Sequence, residues 1–222
     1  MEQLNIQTLD FGSMHIAATV DTQSHSEHSF YHPSSIIYYM LEGHFNMKLG
    51  TEKFLFPEKT FFLVRKFTRG TAYKTWGVHR TGARMIAFII QDELLQKVID
   101  NIQMDAVHEA QAINELVVSL PETPLLLGLI NSLNDYFSVN GKTELNEAWV
   151  LQKTEEALMA IVDANPDLVP IFTDFASPEK ADLVEFINHN FMFNLKLSQF
   201  AKMSGRSLSS FNREFRRIFH ET

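Results

Sequence analysis

The sequence contains no cysteine, which removes disulfides, thiolate metal sites and cysteine nucleophiles and fits, without requiring, a reducing compartment. Long apolar runs are also missing. Runs such as Met85-Ile86-Ala87-Phe88-Ile89-Ile90, among the longest, fall far short of the roughly 18 residues a membrane-spanning helix needs. The polar start Met1-Glu2-Gln3-Leu4-Asn5 lacks the basic and apolar regions of a signal peptide, so the chain is expected in the cytoplasm, with no membrane partner. There is no serine elbow, no phosphate-cradling glycine loop and no paired-carboxylate signature. The chain is therefore not expected to be an enzyme, and no catalytic residue or cofactor is assigned.

What is present is a large apolar inventory. Hydrophobic residues make up 45% of the chain and aromatic ones 12%, with 19 phenylalanines, and that much ring surface suits a β-rich layer packed against helices. A length of 222 residues implies one sizeable domain with a small appendage. The net charge of −8 argues on average against a nucleic-acid partner, but it is unevenly spread. Residues 1–120 carry −3, residues 121–180 carry −7 and residues 181–222 carry +2. From residue 196 onward Lys196, Lys202, Arg206, Arg213, Arg216 and Arg217 face only Glu214 and Glu221. That density suits a small phosphate-binding module, although a solvated helix face of mixed charge has the same composition.

From Leu4 to about Gln91 short β-branched and aromatic runs alternate with turn residues, the pattern of an antiparallel sandwich or barrel. Strands are expected over 35–41, 44–49, 53–56, 60–64, 71–76 and 83–91, with Arg69-Gly70 among the turns and the Ser- and His-rich segment 25–33 as a loop across the barrel mouth. Beyond Asp92 the period becomes helical, and two further helices are expected over roughly 123–136 and 145–162. The stripe Val150, Leu151, Thr154, Leu158, Ile161 and Val162 reads as core or, in part, as a homodimer contact. Prolines at 166 and 170 and the Ser177-Pro178 start signal place a linker at 166–177, between a first unit over 1–165 (barrel about 1–91, helices 92–165) and a second over 178–222.

Residues 197–219 carry the most specific pattern. Ala201 is small where two helices must cross, Gly205 can take the positive φ that ends a helix, and Ser207 can cap the next one. On a 100° wheel Leu208, Phe211, Phe215, Ile218 and Phe219 cluster together, while Arg206, Ser209, Asn212, Arg213, Arg216 and Arg217 fall opposite. Arginine can pair with guanine, asparagine with adenine and serine with several base edges, and the later arginines suit phosphates. With Ser210 added, these polar residues are the expected DNA contacts.

The spacing Leu197, Phe200, Ala201, Gly205, Ser207, Phe211, Arg213, Phe215 resembles the first helix-turn-helix of the AraC/XylS family of bacterial transcription regulators, L-x-x-L-A-x-x-x-G-x-S-x-x-x-L-x-R-x-F. The preceding Phe186-Ile187-Asn188-His189-Asn190-Phe191 is similar to that family's Y-I-x-x-N-Y helix, and Tyr39-Met40-Leu41-Glu42-Gly43, Phe56-Pro57 and Phe62-Leu63-Val64-Arg65-Lys66 resemble its cupin-type sensory barrel. Lys153-Thr154-Glu155-Glu156-Ala157-Leu158 is similar to a segment of the branch that includes the secretion activator ExsA. The resemblance implies an α+β chain. A cupin-like antiparallel barrel with a helical dimerisation region would be followed by an all-α DNA-reading subdomain. Its implied partners are DNA, a second copy as homodimer, a small-molecule effector or regulatory protein and, in the full-length form, RNA polymerase. Glu58-Lys59 lacks the turn glycine usual there, and His220 stands where a glycine usually follows the second helix. Family members continue into a second helix-turn-helix, so a truncated or cleaved form is expected, or else a single-reader variant that relies on dimerisation. One small module neutralises few phosphates and should bind DNA weakly at physiological salt.

Two other readings stay open on the residues alone. His25, His28 and His32, with His44 and His79 on later strands, could serve a metal-dependent cupin enzyme, but no His-x-His pair is present and no metal ligand is assigned. Phe30, Tyr38, Phe62 and Tyr73, with Arg65 or His44, could line a ligand pocket in a module that does not bind DNA, or those rings could simply fill the barrel. Strand register decides which, and a one-residue slip reverses the list.

Overall fold

The computed structural model describes residues 5–11, 14–21, 27–32, 34–76, 82–90, 95, 98, 115–138, 147–173, 183–191 and 196–220. Its strands pair antiparallel in two sheets. One holds β1 (Asn5–Phe11), β2 (Met14–Asp21), β9 (Ala83–Ile90), β4 (Ser35–Glu42), β7 (Thr60–Val64) and β10 (Val117–Leu120), in that order. The other runs β3 (His28–Tyr31), β8 (Arg69–Thr75), β5 (His44–Leu49), β6 (Glu52–Phe56).

The strand sequences explain which sheet each enters. β4, β7 and β9 read as nearly continuous apolar runs because both faces of the six-stranded sheet are covered. Ile36, Tyr38, Phe62 and Ala87 face one apolar layer, while Ile37, Tyr39, Phe61, Leu63 and Phe88 face another. β5 alternates, with Phe45, Met47 and Leu49 buried and Lys48 exposed, because the four-stranded sheet meets solvent on its outer side. Each fully buried Phe or Leu in these layers contributes about 1.5–3 kcal/mol relative to exposure.

Helices close the outer face of the larger sheet. α1 (Pro124–Ser138) contributes Leu126, Leu129, Ile130 and Leu133, and α2 (Glu147–Ala164) contributes Val150, Ala157, Leu158 and Ile161. Thr123 Oγ1 accepts from Leu126 N at 3.2 Å and so caps the start of α1. The α2 stripe is thus spent on packing within the chain, and exposure falls instead on Trp149 and Met159. Of the helix expected after Asp92, Leu95 and Val98 are helical and buried, and the rest lies outside the described residues.

Several expectations need correction. The segment called a loop contains β3, whose Ser and His residues pair with β8 in register His28↔Ala72 through Tyr31↔Arg69, so tertiary pairing overrides a polar composition. β10 is not among the expected strands; its four residues add to the edge of β7. The expected linker 166–177 begins too early. Asn165 caps a 3₁₀ turn at Pro166–Leu168, α3 (Val169–Thr173) follows, and Leu168, Val169, Ile171 and Phe172 are buried in the core of the first unit. At the glycine-less turn Lys59 takes φ +63, and its N–H donates to the Met40 carbonyl at 2.7 Å.

Arg69-Gly70 is not a turn but the start of β8. A Cβ on Gly70 would collide with the Lys48 carbonyl and the Leu49 side chain of β5, so hydrogen alone fits where these backbones meet. Gly70→Ala is expected to cost about 1–3 kcal/mol, read as a thermal midpoint lower by about 2–4 °C for each kcal/mol lost.

Between the sheets the rings stack on one another. Phe56 lies 3.8 Å from Phe62, Tyr38 5.0 Å from Phe62 and 5.8 Å from His32, and Phe30 4.6 Å from His32. Phe30, Tyr38 and Phe62 therefore fill this end of the interior. Burial, and secondarily the charge of His28, lowers the His32 pKa from 6.5 to about 4. The unfolded chain thus binds a proton there between about pH 6.5 and 4 that the folded chain refuses. Stability should be undiminished by this group above pH 6.5 and fall as pH drops toward 4. Chemical denaturation across that range should give a steeper decline for the wild type than for His32→Gln.

Candidate nucleic-acid interface

The C-terminal unit is built from α4 (Leu183–Asn190), α5 (Leu197–Met203) and α6 (Leu208–Phe219). Lys196 N donates to Gln199 Oε1 at 2.8 Å, tying the chain into α5. At its other end Gly205 takes φ +70. Arg206 N donates to Ala201 O at 2.9 Å and Gly205 N to Lys202 O at 3.0 Å, the paired bonds of a Schellman stop. Ser207 then caps α6, its Oγ accepting from Ser210 N at 3.2 Å. These bonds set the angle between the two helices, and Ala201, 1% exposed, lets them approach.

Phe211 is fully buried with Leu183, Phe186, Ala201 and Met203, while Phe215 and Ile218 pack half-buried against them. Phe186 meets Phe200 edge-on at 6.2 Å, and Phe211, Phe215 and Phe219 stack in sequence at 5.9 and 4.6 Å. The apolar flank is narrower than expected: Leu208 is 45% exposed. His220 closes the helix in the left-handed conformation at φ +54, its N–H donating to Arg216 O at 3.0 Å, a position where glycine avoids a steric cost.

The seven expected contact residues do not stay together. Ser209, Arg213, Arg216 and Arg217 are exposed and Asn212 is half-exposed, on the side of α6 away from Phe211. None of the three arginines makes an ion pair among the described residues. Ser210 is half-buried beside Glu214, 3.4 Å away. Arg206 departs from the set. Its side chain is 5% exposed, its Nε donates to Glu214 Oε2 at 2.9 Å and its Nη1 to Ser204 O at 2.7 Å. A guanidinium with buried acceptors on two sides braces the turn. The outward face is therefore Ser209, Asn212, Arg213, Arg216 and Arg217, a surface that can meet phosphates and base edges.

The first unit holds a cation that sequence reasoning missed. Lys74 on β8 is 5% exposed, and its Nζ donates to Thr19 Oγ1 of β2 at 2.5 Å, across the space between the sheets. Tyr73, expected inside, lies on the opposite face of β8 from Ala72 and Lys74, and His44 stands one residue out of step with the inward Phe45 and Met47. Buried Ala72, Ala83 and Ala87 belong to the same interior layer. His25 and His79 lie outside the described residues, and among the described residues no group of three or more metal-ligating side chains is found. No described helix is long and apolar enough to cross a membrane.

A strand-rich unit backed by helices and joined to a helix-turn-helix defines a class of two-unit chains. ToxT of Vibrio cholerae has this fold. An apo ToxT variant from strain SCE256 superposes with a TM-score of 0.53 at 11% identity, covering 96% of each chain. ToxT from strain O395, bound to (E)-4-(8-methylnaphthalen-1-yl)but-3-enoic acid, gives 0.52 at 11% identity over 92% of this chain and 94% of that one. The AraC-like transcriptional activator CuxR aligns over 93% of this chain and 72% of its own, at 14% identity and a TM-score of 0.45. No family profile and no curated protein matches by sequence. The mixed α+β architecture expected from the sequence is met at the level of fold.

Proposed function

We propose that the chain is a sequence-specific DNA-binding transcription regulator of AraC type. Residues 1 to about 173 would form its controlling unit and residues 178–222 its reader. The carrying observation is the polar flank of α6, where Arg213, Arg216 and Arg217 stand exposed opposite a buried Phe211. In this reading Ser209, Asn212 and Arg213 meet base edges and Arg216 and Arg217 meet phosphates. A homodimer would supply the second half-site. RNA polymerase would be a further partner of the full-length form. Selection of the full chain against random-sequence duplexes should enrich one short half-site. Failure to bind any duplex at low salt would refute the reading.

Control by a small amphipathic acid is favoured by Lys74, a buried cation between the sheets whose Nζ donates to Thr19 Oγ1. ToxT has been solved with a naphthyl-butenoic acid, and a carboxylate of that kind could exchange for the Thr19 hydroxyl at this cation. That naphthyl-butenoic acid is expected to raise the melting temperature of the wild-type chain and not of Lys74→Met. An equal rise in both would show that Lys74 does not receive the carboxylate.

A further inference from the structure

We infer that the connection from β7 into the start of β8 is a positioning element for the reader, with Phe67 as its wedge and Arg69 as its latch. Phe67 has φ +66, a conformation that an aromatic residue adopts only when its surroundings impose it. Two backbone bonds impose it here: Phe67 N donates to His32 O at 2.6 Å and His32 N donates to Thr68 O at 2.9 Å. The strain has a structural result, because the Phe67 ring packs against the apolar cluster of Tyr31, Leu183, Phe186 and Phe211. Tyr31, at the end of β3, is thus buried in the core of the reader rather than in that of its own sheets.

A polar bond crosses the same seam. Arg69 Nη1 donates to Asn190 Oδ1 at 3.3 Å, and Asn190, fully buried, donates from Nδ2 to the Phe186 carbonyl at 2.6 Å. Arg69 therefore grips the last turn of α4, the helix that packs against α6. A reader with so few buried residues gains much of its order from this contact. The seam is also built to separate. The Tyr31 and Thr68 hydroxyls are buried with no hydrogen-bond partner among the described residues, a cost that admitting water would relieve. The first unit thereby sets how firmly α6 is held, which deepens the DNA-reading proposal and rests on it only for the consequence.

Hydrogen exchange on the full chain, without DNA, tests the seam. Phe67→Gly relieves the backbone strain and removes the ring. It should speed exchange of the amides of α6 by about tenfold while leaving β4 and β9 unchanged. Arg69→Ala, at an exposed position, should act in the same direction by about threefold, and Phe67→Leu should restore most of the protection. Binding of Phe67→Gly to a mixed-sequence duplex should weaken several-fold with an unchanged salt slope, since no phosphate contact is removed. Unaltered α6 exchange in both Phe67→Gly and Arg69→Ala would overturn the inference, as would exchange accelerated equally in both sheets. A wild type that binds no duplex, with α6 still loosened in the variants, would refute the DNA reading alone.

Discussion

Replacing Arg213, Arg216 and Arg217 together by alanine is expected to abolish DNA binding while lowering the melting temperature by only a few degrees. The three guanidinium groups are exposed, so their removal opens no cavity and strands no buried partner. In the proposed reading Arg213 would supply a base contact of about 1–3 kcal/mol. Arg216 and Arg217 would neutralise two phosphates, and the slope of log K against log salt should fall by roughly two when they are removed. Their place in the last turn of α6 adds a favourable interaction with the helix dipole, about 0.3–1 kcal/mol each, which is the source of the small thermal effect. Titration of a labelled duplex at several salt concentrations, with a melting curve for each variant, measures both. Unchanged affinity in the triple variant would move the interface off this helix.

Phe211→Ala is expected to do the reverse, destroying the reader from inside. The ring is fully buried and stacks on Phe215 at 5.9 Å, and its loss should cost about 3–5 kcal/mol. Because the unit's apolar cluster has so few buried members, that cost exceeds what the unit can absorb on its own. The amides of α6 should lose protection and DNA binding should vanish, while β4, β7 and β9 remain protected. Retained protection in α6 would mean that the phenyl cluster is not what holds it.

Those two outcomes contrast the flanks of one helix, and that contrast was legible in the sequence because 3.6-residue periodicity, Gly205 and the Ser207 cap are local signals. The strands were legible for the same reason wherever both faces are buried: β4, β7 and β9 are apolar throughout. What was not legible depends on contacts between distant residues. A helical wheel places Arg206 among the outward arginines, yet it precedes the cap, and its side chain turns back to Glu214 eight residues on. The opposite charges at that spacing were the available signal. Lys74 is not legible because a lysine in a strand ordinarily points outward and a tyrosine beside it inward; only the pairing of β8 with β5 and β3 fixes which alternates where. β3 was hidden by its Ser and His content, and Phe67 by lying in a turn, where neither period applies. In the Leu168–Phe172 segment two prolines mask an apolar run that packs into the helical layer.

Whether the polar flank of α6 meets DNA is read from the amide chemical-shift changes of the isotope-labelled full chain on addition of a short duplex at low salt. The largest changes should fall on Ser209, Asn212, Arg213, Arg216 and Arg217, with Phe211 and the strands of both sheets little affected. Changes concentrated on another surface, or none at saturating duplex, would contradict that interface.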